Sequence, residues 1–152
     1  MKTLKPKSRK AKSDKAKAKE AAWVSFSRYV RTRDCIRFSG SPDLGKCVTC
    51  RTAYPYGKLQ AGHFIQGRSN SVLFDERIVY SQCGGCNMNP PYGKGGNYVE
   101  YFIFMEEEWG RTMIDEFREL KSKTVIYKIP DLIAIKEKFD QKYEELMSGY
   151  NH

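Results

Sequence analysis

Two pairs of cysteines at identical spacing constrain the fold of this chain more than any other feature. Cys47 and Cys50 are two residues apart, 32 residues follow, and Cys83 and Cys86 repeat the spacing. Cys-x2-Cys pairs bind zinc tetrahedrally, with each thiolate about 2.3 Å from the metal. We therefore predict that these four cysteines bind one structural zinc ion. Because four thiolates leave no open position, this zinc should hold two segments together and take no part in chemistry.

The surroundings of the cysteines favour a metal site over disulfides. The sequence has no apolar run of about 18 residues, and its lysine-rich start lacks the apolar segment of a secretory signal, so we expect a cytoplasmic protein without membrane contact. In a reducing compartment, paired cysteines bind metal more often than they form disulfides. A set of unrelated buried thiols is the alternative. Cys35 stands apart from the pairs and is expected to be an ordinary thiol.

Positive charge is concentrated at the N-terminus. Residues 1–20 contain eight lysines and one arginine against two acidic residues, which accounts for +7 of the net charge of +9. Such a segment cannot bury apolar surface, so we predict a basic tail that is disordered or partly helical. Its lysines, represented by Lys10, Lys12 and Lys15, are candidates to neutralise DNA phosphates. A solubility tail without a specific partner is the alternative.

Hydrophobic periodicity places helices on both sides of the cysteine motif. Trp23, Phe26 and Val30 lie on one face of a helix predicted over 20–33. The other predicted elements are strands over 59–65 and 77–81 and helices over 98–109, over 113–120 and from Pro130 onward. The apolar stripe of the last helix is expected to pack within the chain, with a homodimer seam as the alternative.

These elements predict an α+β fold with a small zinc-stapled core and flanking α-helices. We divide the chain into a basic tail over 1–20, a zinc-knuckle core with its leading helix over 21–110, and a C-terminal helical extension over 111–152. A modest apolar content of 40% suits a core that needs a metal to hold it together.

His63 and Asn87 are the residues near the cysteines best suited to chemistry. Ala61 and Gly62 precede His63, and such small residues would let a substrate backbone approach. Asn87 directly follows the last cysteine, where we expect a helix to begin. A lone histidine on a strand is also commonly structural, so both interpretations of His63 stay open.

Several motifs occur in an order that resembles a known protein family. They are Cys47-x2-Cys50, Ala61-Gly62-His63-Phe64, Phe74-Asp75, Gln82-Cys83-x2-Cys86-Asn87 and Gly96-Asn97-x3-Tyr101. The layout is similar to the ββα-metal, or HNH, nucleases. More narrowly, it resembles the NinG (Rap) family of phage recombination proteins over residues 26–105.

The resemblance implies a structure-specific endonuclease that acts on branched DNA, in the host cytoplasm if the chain is phage-encoded. It implies a treble-clef, HNH-like ββα-metal core. His63 would take a proton from water, and Asn87 would help hold a catalytic Mg²⁺ or Mn²⁺. Asp75 would be a second ligand or would orient His63. The expected phosphate contacts outside the tail are Arg68, Arg77 and Lys94.

Two further functions remain open at this level. The first is a zinc-knuckle DNA-binding accessory protein of recombination without catalysis. The second is a zinc-stapled protein–protein module whose basic tail is incidental. The combination of His63 with Asn87 favours the enzyme over the accessory protein, and the basic tail favours either of these over the third.

Overall fold

The computed structural model describes residues 11–150 and contains a mixture of helices and short strands. In chain order the elements are α1 (Asp14–Ser39), β1 (Leu44–Lys46), β2 (Ala53–Pro55), β3 (Leu59–His63), α2 (Asn70–Leu73), β4 (Val79–Cys83), α3 (Gly84–Asn87), α4 (Tyr98–Trp109), α5 (Arg111–Glu119) and α6 (Ile129–Tyr150). Single 3-10 turns cover Tyr56–Lys58 and Leu120–Ser122. The predicted α+β class is confirmed.

The first helix is longer at both ends than predicted. Ser13 caps its N-terminus by accepting a hydrogen bond from the Ala16 N–H, and Asp14 in the first turn suits the positive end of the helix dipole. Gly40 ends it in a left-handed conformation and donates its N–H to the Ile36 carbonyl. The helix therefore begins inside the segment predicted as a tail. Lys10 lies outside the described residues.

Two antiparallel hairpins carry the cysteines. β1 pairs with β2, and Cys47 and Cys50 lie in the connection between these strands. β3 pairs with β4 so that His63 is opposite Val79 and Leu59 is opposite Cys83. The second pair follows at once, because Cys83 ends β4 and Cys86 lies in the single turn of α3. The register thus places the second cysteine pair at one end of this hairpin and His63 at the other.

The helix expected to begin at Asn87 does not do so, because Asn87 is instead the last residue of α3. Pro90 and Pro91 follow soon after, and neither has an N–H to continue the helical ladder. The chain forms a compact loop in which the Gly96 N–H donates to the Cys86 carbonyl at 2.7 Å. The long helix α4 starts only at Tyr98.

The last helix packs onto the first and completes the core. The rings of Phe26 and Phe139 meet edge to face with centroids 4.8 Å apart, and Arg28 pairs with Asp140 at 3.1 Å. The fully buried Leu132 belongs to the same face of α6. The predicted intramolecular packing of this stripe is therefore confirmed. α6 packs on α1 and extends the hydrophobic core.

Within residues 11–150, no helix combines the length and the apolar character that crossing a membrane requires.

Candidate functional site

The structure brings the four paired cysteines into one cluster. All four Sγ atoms lie within 4.8 Å of one another, and the Sγ atoms of Cys50 and Cys83 are 3.8 Å apart. Ligands about 2.3 Å from a tetrahedral zinc are separated by about 3.8 Å, so the cluster fits this metal. No second group of three or more metal-binding His, Cys, Asp or Glu side chains occurs in the described part of the chain. The predicted ligand set is therefore positioned to bind a metal.

Neighbouring polar groups orient the sulfur atoms of this cluster. The Asn97 side-chain amide donates to the Cys86 Sγ at 3.6 Å, and the Thr49 hydroxyl lies 3.3 Å from the Cys47 Sγ. The half-buried ring of Tyr54 packs against the cluster. Asn97 takes a left-handed conformation just before α4, and its hydrogen bond to Cys86 joins the start of that helix to the cysteine cluster.

The fifth cysteine has a different environment. Cys35 is buried on α1 and packs against Gly45, where an added Cβ would come within 2.7 Å of its sulfur. Burial, together with the adjacent charge of Asp34, raises the pKa of the Cys35 thiol to about 11. A thiol with so little thiolate at neutral pH is a poor nucleophile, so Cys35 fits the predicted role of an ordinary core residue.

A cleft of about 490 Å³ lies beside the cysteine centre. It is lined by polar and small residues, namely Gln60, Ala61, His63, Gln66, Gly67, Arg68, Asn87, Met88, Asn89, Gly95 and Tyr98. Three of the predicted site residues, His63, Asn87 and Arg68, therefore share one cavity. Because no Asp or Glu is among its described lining residues, the cleft is a neutral to positive environment.

His63 is held as a neutral imidazole in this cleft. Its Nε2 lies 3.0 Å from the Leu73 carbonyl oxygen, which can only accept, so Nε2 carries the proton and the lone pair is on Nδ1. Burial lowers the pKa of His63 to about 4, the carbonyl opposes this shift, and the charge of Arg68 adds to it. The imidazole therefore has a base atom, Nδ1, in its neutral form at physiological pH.

Trp23 on α1 connects His63 to Arg68. The indole stacks on the imidazole with ring centroids 5.2 Å apart, and the Arg68 guanidinium lies 4.4 Å from the indole centroid. Arg68 is exposed and has a positive φ of 49°. The aromatic ring thus positions a cation at the mouth of the cleft.

Asn87 points its amide across the cleft toward the neighbouring strand. Its Nδ2 donates to the Gln60 Oε1 at 2.8 Å, so its Oδ1 remains as an acceptor. That oxygen lies near Gly62, since a Cβ added there would be 3.0 Å from it. Although α3 ends at Asn87, the side chain still reaches the cavity that contains His63.

The absence of a side chain at Gly62, which we predicted would let a substrate approach, makes room for the Gln82 side chain. A Cβ at this position would come within 1.9 Å of the Gln82 Oε1, which is buried and has no hydrogen-bond partner within residues 11–150. The Gln82 Nε2 donates to the Thr49 hydroxyl and to the Gly96 carbonyl. Gln82 thus connects the hairpin to the loops around the cysteines, and Gly62 provides the space it fills.

Asp75 does not lie in this cleft, and the predicted contact with His63 is replaced by a local ion pair. Its carboxylate accepts two hydrogen bonds from the Arg77 guanidinium, at 2.9 and 2.7 Å, and a third from the Arg77 N–H. Both side chains line a separate cavity next to Tyr127. The Leu73 carbonyl, not Asp75, orients the imidazole, and neither Asp75 nor Arg77 faces Asn87.

None of the predicted lysines within residues 11–150 is among the lining residues of the cleft. Lys12 forms an ion pair with Glu20, and Lys15 is exposed at the start of α1. Lys94 is exposed on the loop before α4, next to the lining residue Gly95. These positions leave the lysine side chains accessible to a polyanion.

Sequence reasoning missed three groups that shape the site. In the sequence, Trp23 is recognisable only as part of an apolar helix face. The Leu73 carbonyl has no sequence signal, because every residue has a carbonyl group. Gln66 lies in a loop without hydrophobic periodicity. Gln82 stood inside the quoted motif, but its buried role could not be inferred from spacing.

Comparison with known proteins gives a consistent family match. The chain matches the family model described as Bacteriophage Lambda NinG protein over residues 1–148. It is 28% identical over 129 residues to Protein ninG of Escherichia phage 933W, covering 84% of this chain and 57% of that protein. It is 29% identical over 126 residues to Protein ninG of Salmonella phage P22, covering 82% of this chain and 55% of that protein. The chain therefore spans little more than half the length of these relatives. No solved structure matches it.

Proposed function

Because the chain belongs to the NinG family, we propose that it is a structure-specific DNA endonuclease of phage recombination that hydrolyses phosphodiester bonds in branched DNA. The observation that carries this proposal is the shared cleft of His63, Asn87 and Arg68 beside the four-cysteine centre. These side chains supply a base, an oxygen ligand and a phosphate contact in one cavity, and metal-assisted hydrolysis of a phosphodiester uses a group of each of these kinds.

His63 is the proposed general base. Its Nδ1 takes a proton from a water molecule, which then attacks phosphorus in line with the leaving oxygen. The hydrogen bond from Nε2 to the Leu73 carbonyl and the stacking on Trp23 fix the plane of the ring. A pKa of about 4 makes the isolated imidazole a weak base, but a bound phosphate next to it favours the protonated form and raises that pKa.

Asn87 is the proposed ligand of a catalytic Mg²⁺ or Mn²⁺. Hard cations of this type bind oxygen atoms. The Asn87 Nδ2 is used in the hydrogen bond to Gln60, and the Asn87 Oδ1 remains as the oxygen that could bind the cation. Such a cation, when bound, stabilises the negative charge that develops on the leaving oxygen. Because no carboxylate is among the described lining residues, substrate phosphate oxygens would have to complete the ligand set.

The cations around the cleft are the proposed DNA contacts. Arg68 is held at the cavity mouth by Trp23, where its guanidinium can bind a phosphate beside the cut bond. Lys12, Lys15 and Lys94 extend the positive surface, and Lys10 belongs to the same basic segment. Arg77 is already paired with Asp75 and is the weakest of the predicted contacts.

The cysteine cluster is the proposed site of a structural zinc. With four thiolates around it, a zinc ion has no open position for water or substrate. It would join the β1–β2 connection to α3, and the Asn87 that shares the cleft directly follows one of its ligands, Cys86. Because Cys83 ends β4 and Cys86 precedes Asn87, a bound zinc would hold Asn87 close to the β3–β4 hairpin.

A non-catalytic DNA-binding accessory protein is the alternative. The depth of His63 and the absence of carboxylates among the described lining residues favour it, because both reduce the chemical competence of the cleft. In this alternative the basic surface and Arg68 still bind branched DNA, and Nδ1 of His63 takes no proton.

The two functions are separated by incubating purified protein with labelled four-way junction, three-way junction and linear duplex DNA, each with Mg²⁺, Mn²⁺ or EDTA. The endonuclease should cut branched DNA at discrete positions with a divalent metal and not with EDTA. Tight binding of branched DNA without cleavage under any of these metals would establish the accessory protein instead.

A further inference from the structure

A second cavity of about 660 Å³ lies next to the proposed catalytic cleft. Tyr98 and Gln66 line both cavities, so the two are adjacent. The catalytic cleft is polar, whereas the second cavity has mainly apolar and aromatic walls. We call this second cavity the α4 groove, because Tyr98, Val99, Phe102 and Ile103 of α4 form one of its sides.

The α4 groove leaves large apolar side chains in contact with solvent. The side chain of Val99 is 76% exposed and that of Ile103 is 41% exposed, although α4 buries other residues in the core. Phe102 is half-buried on the core edge, with its ring centroid 6.5 Å from that of Phe64. An open apolar surface of this kind beside a polar cleft indicates a ligand with an apolar part.

The charges at the rim of the groove identify the kind of ligand. Arg118 and Lys121 line it, and no Asp or Glu is among its described lining residues. The Arg118 guanidinium lies 5.3 Å from the Phe102 centroid, so a cation and an aromatic ring are offered side by side. This pairing suits a nucleotide, whose flat base is apolar on its faces and whose phosphate is an anion.

From this geometry we propose that the α4 groove binds an unpaired nucleotide of the DNA whose neighbouring phosphate enters the cleft of His63. The proposal rests on the proposed endonuclease function and adds the basis of its structure selectivity. The base lies against Tyr98 and Phe102, and Arg118 and Lys121 contact the flanking phosphates. A fully paired duplex has no free base for the groove, so DNA with unpaired bases at a branch point binds more tightly.

The test measures binding without added Mg²⁺ or Mn²⁺, so that its result does not depend on cleavage and a structural zinc is not removed by a chelator. The probes are a three-way junction with 2-aminopurine as an unpaired base at the branch point, and a fully paired linear duplex. Wild-type protein is compared with Val99→Glu, which puts a negative charge into the groove, and with Phe102→Leu, which keeps an apolar side chain but removes the aromatic ring. Ile126→Glu is the matched control, since Ile126 is 75% exposed and lies outside the groove. Metal content and the urea midpoint of each variant check that it is folded.

Wild-type protein should quench the 2-aminopurine emission. Val99→Glu should bind the junction roughly tenfold or more weakly, because its carboxylate repels the phosphates that flank the base. Phe102→Leu should lose the quenching, and both variants should bind linear duplex within about twofold of wild type. If all proteins bind the junction equally and quench the emission equally, the α4 groove does not bind the unpaired nucleotide, and the endonuclease proposal is unaffected. Failure of wild type to bind any branched DNA would overturn both. A concentration-dependent dimer that only Val99→Glu disrupts would assign the groove to a second copy of the chain.

Discussion

The indole of Trp23 stacks on the imidazole of His63, with ring centroids 5.2 Å apart and planes inclined by 20°. This contact joins the first helix, whose N-terminal end carries the basic segment, to the strand that bears the proposed base. The same indole contacts Arg68. A helix that the sequence indicates only as part of the core therefore supports two residues that line the candidate site, His63 and Arg68.

Loss of one cysteine ligand should unfold the zinc-stapled part of the protein. Wild-type protein purified under reducing conditions is expected to contain one zinc per chain by elemental analysis. Cys86→Ser should lower the zinc content and the thermal midpoint together, because the free energy of binding a structural zinc is folding free energy. Cys35→Ser is the matched control and should keep its zinc, since Cys35 lies outside the cluster. Wild-type protein without zinc would refute the metal centre.

His63→Ala should abolish cleavage of branched DNA and leave binding nearly unchanged. A general base acts only as the reaction proceeds, so its loss should reduce the rate by roughly 100- to 10,000-fold without weakening ground-state affinity. Asn87→Ala should also slow cleavage, but a raised metal concentration should restore part of it, because only a ligand has been lost. Single-turnover rates and binding isotherms in EDTA measure both effects. If His63→Ala unfolds the protein, the histidine is structural.

The buried imidazole should make stability depend on pH between its two pKa values. The pKa of His63 is about 4 in the folded protein and about 6.5 in the unfolded chain, so the unfolded state binds more protons in this range. The neutral imidazole thus contributes stability that is present above pH 6.5 and is lost as the pH falls toward 4, on the order of 3 kcal/mol in total. Urea unfolding of wild type and His63→Gln at several pH values should show a smaller loss in the variant. Identical pH dependence in the two proteins would contradict the buried neutral state.

Gly62→Ala should destabilise the protein by about 1–3 kcal/mol, because the new methyl group would overlap with the Gln82 side chain. Gly57→Ala is the matched control, since a Cβ there meets no atom within 4 Å. Chemical denaturation gives both values. A Gly62→Ala protein as stable as the control would show that Gln82 can move away, and that its link to Thr49 and Gly96 contributes little.

Replacing Lys10, Lys12 and Lys15 by glutamine should weaken DNA binding mainly at low salt. Each phosphate contact that is lost should flatten the slope of log affinity against log salt concentration by about 0.9. The control replaces Lys123, Lys128 and Lys136, which changes the net charge equally near α6. If both triple variants show the same slope, the basic segment does not contact DNA and acts only through net charge.

The sequence by itself was enough to predict the four-cysteine cluster, the family and most helices. Two Cys-x2-Cys pairs allow few folds, because a tetrahedral zinc takes four thiolate ligands and the two pairs must therefore lie next to each other. Tyr98–Trp109 was predicted at its observed bounds because its signal is local, in periodicity and a terminal glycine. The end of α3 at Asn87 could not be predicted in the same way. It depends on the loop that follows, whose backbone N–H groups donate to the carbonyls of Cys86 and Met88.

Only the tertiary structure decided which polar residues share the cleft. His63 and Asn87 are 24 positions apart, and the hairpin register and the cysteine cluster bring them together. Asp75 was a weaker candidate from the sequence, and its local pairing with Arg77 keeps it out of the cleft. The pKa of His63 likewise depends on burial against Trp23 and on a carbonyl ten residues away. The sequence determines which chemical groups are available, whereas packing determines their distances and their exposure to solvent. The chemistry of a site depends on the groups and on their packing.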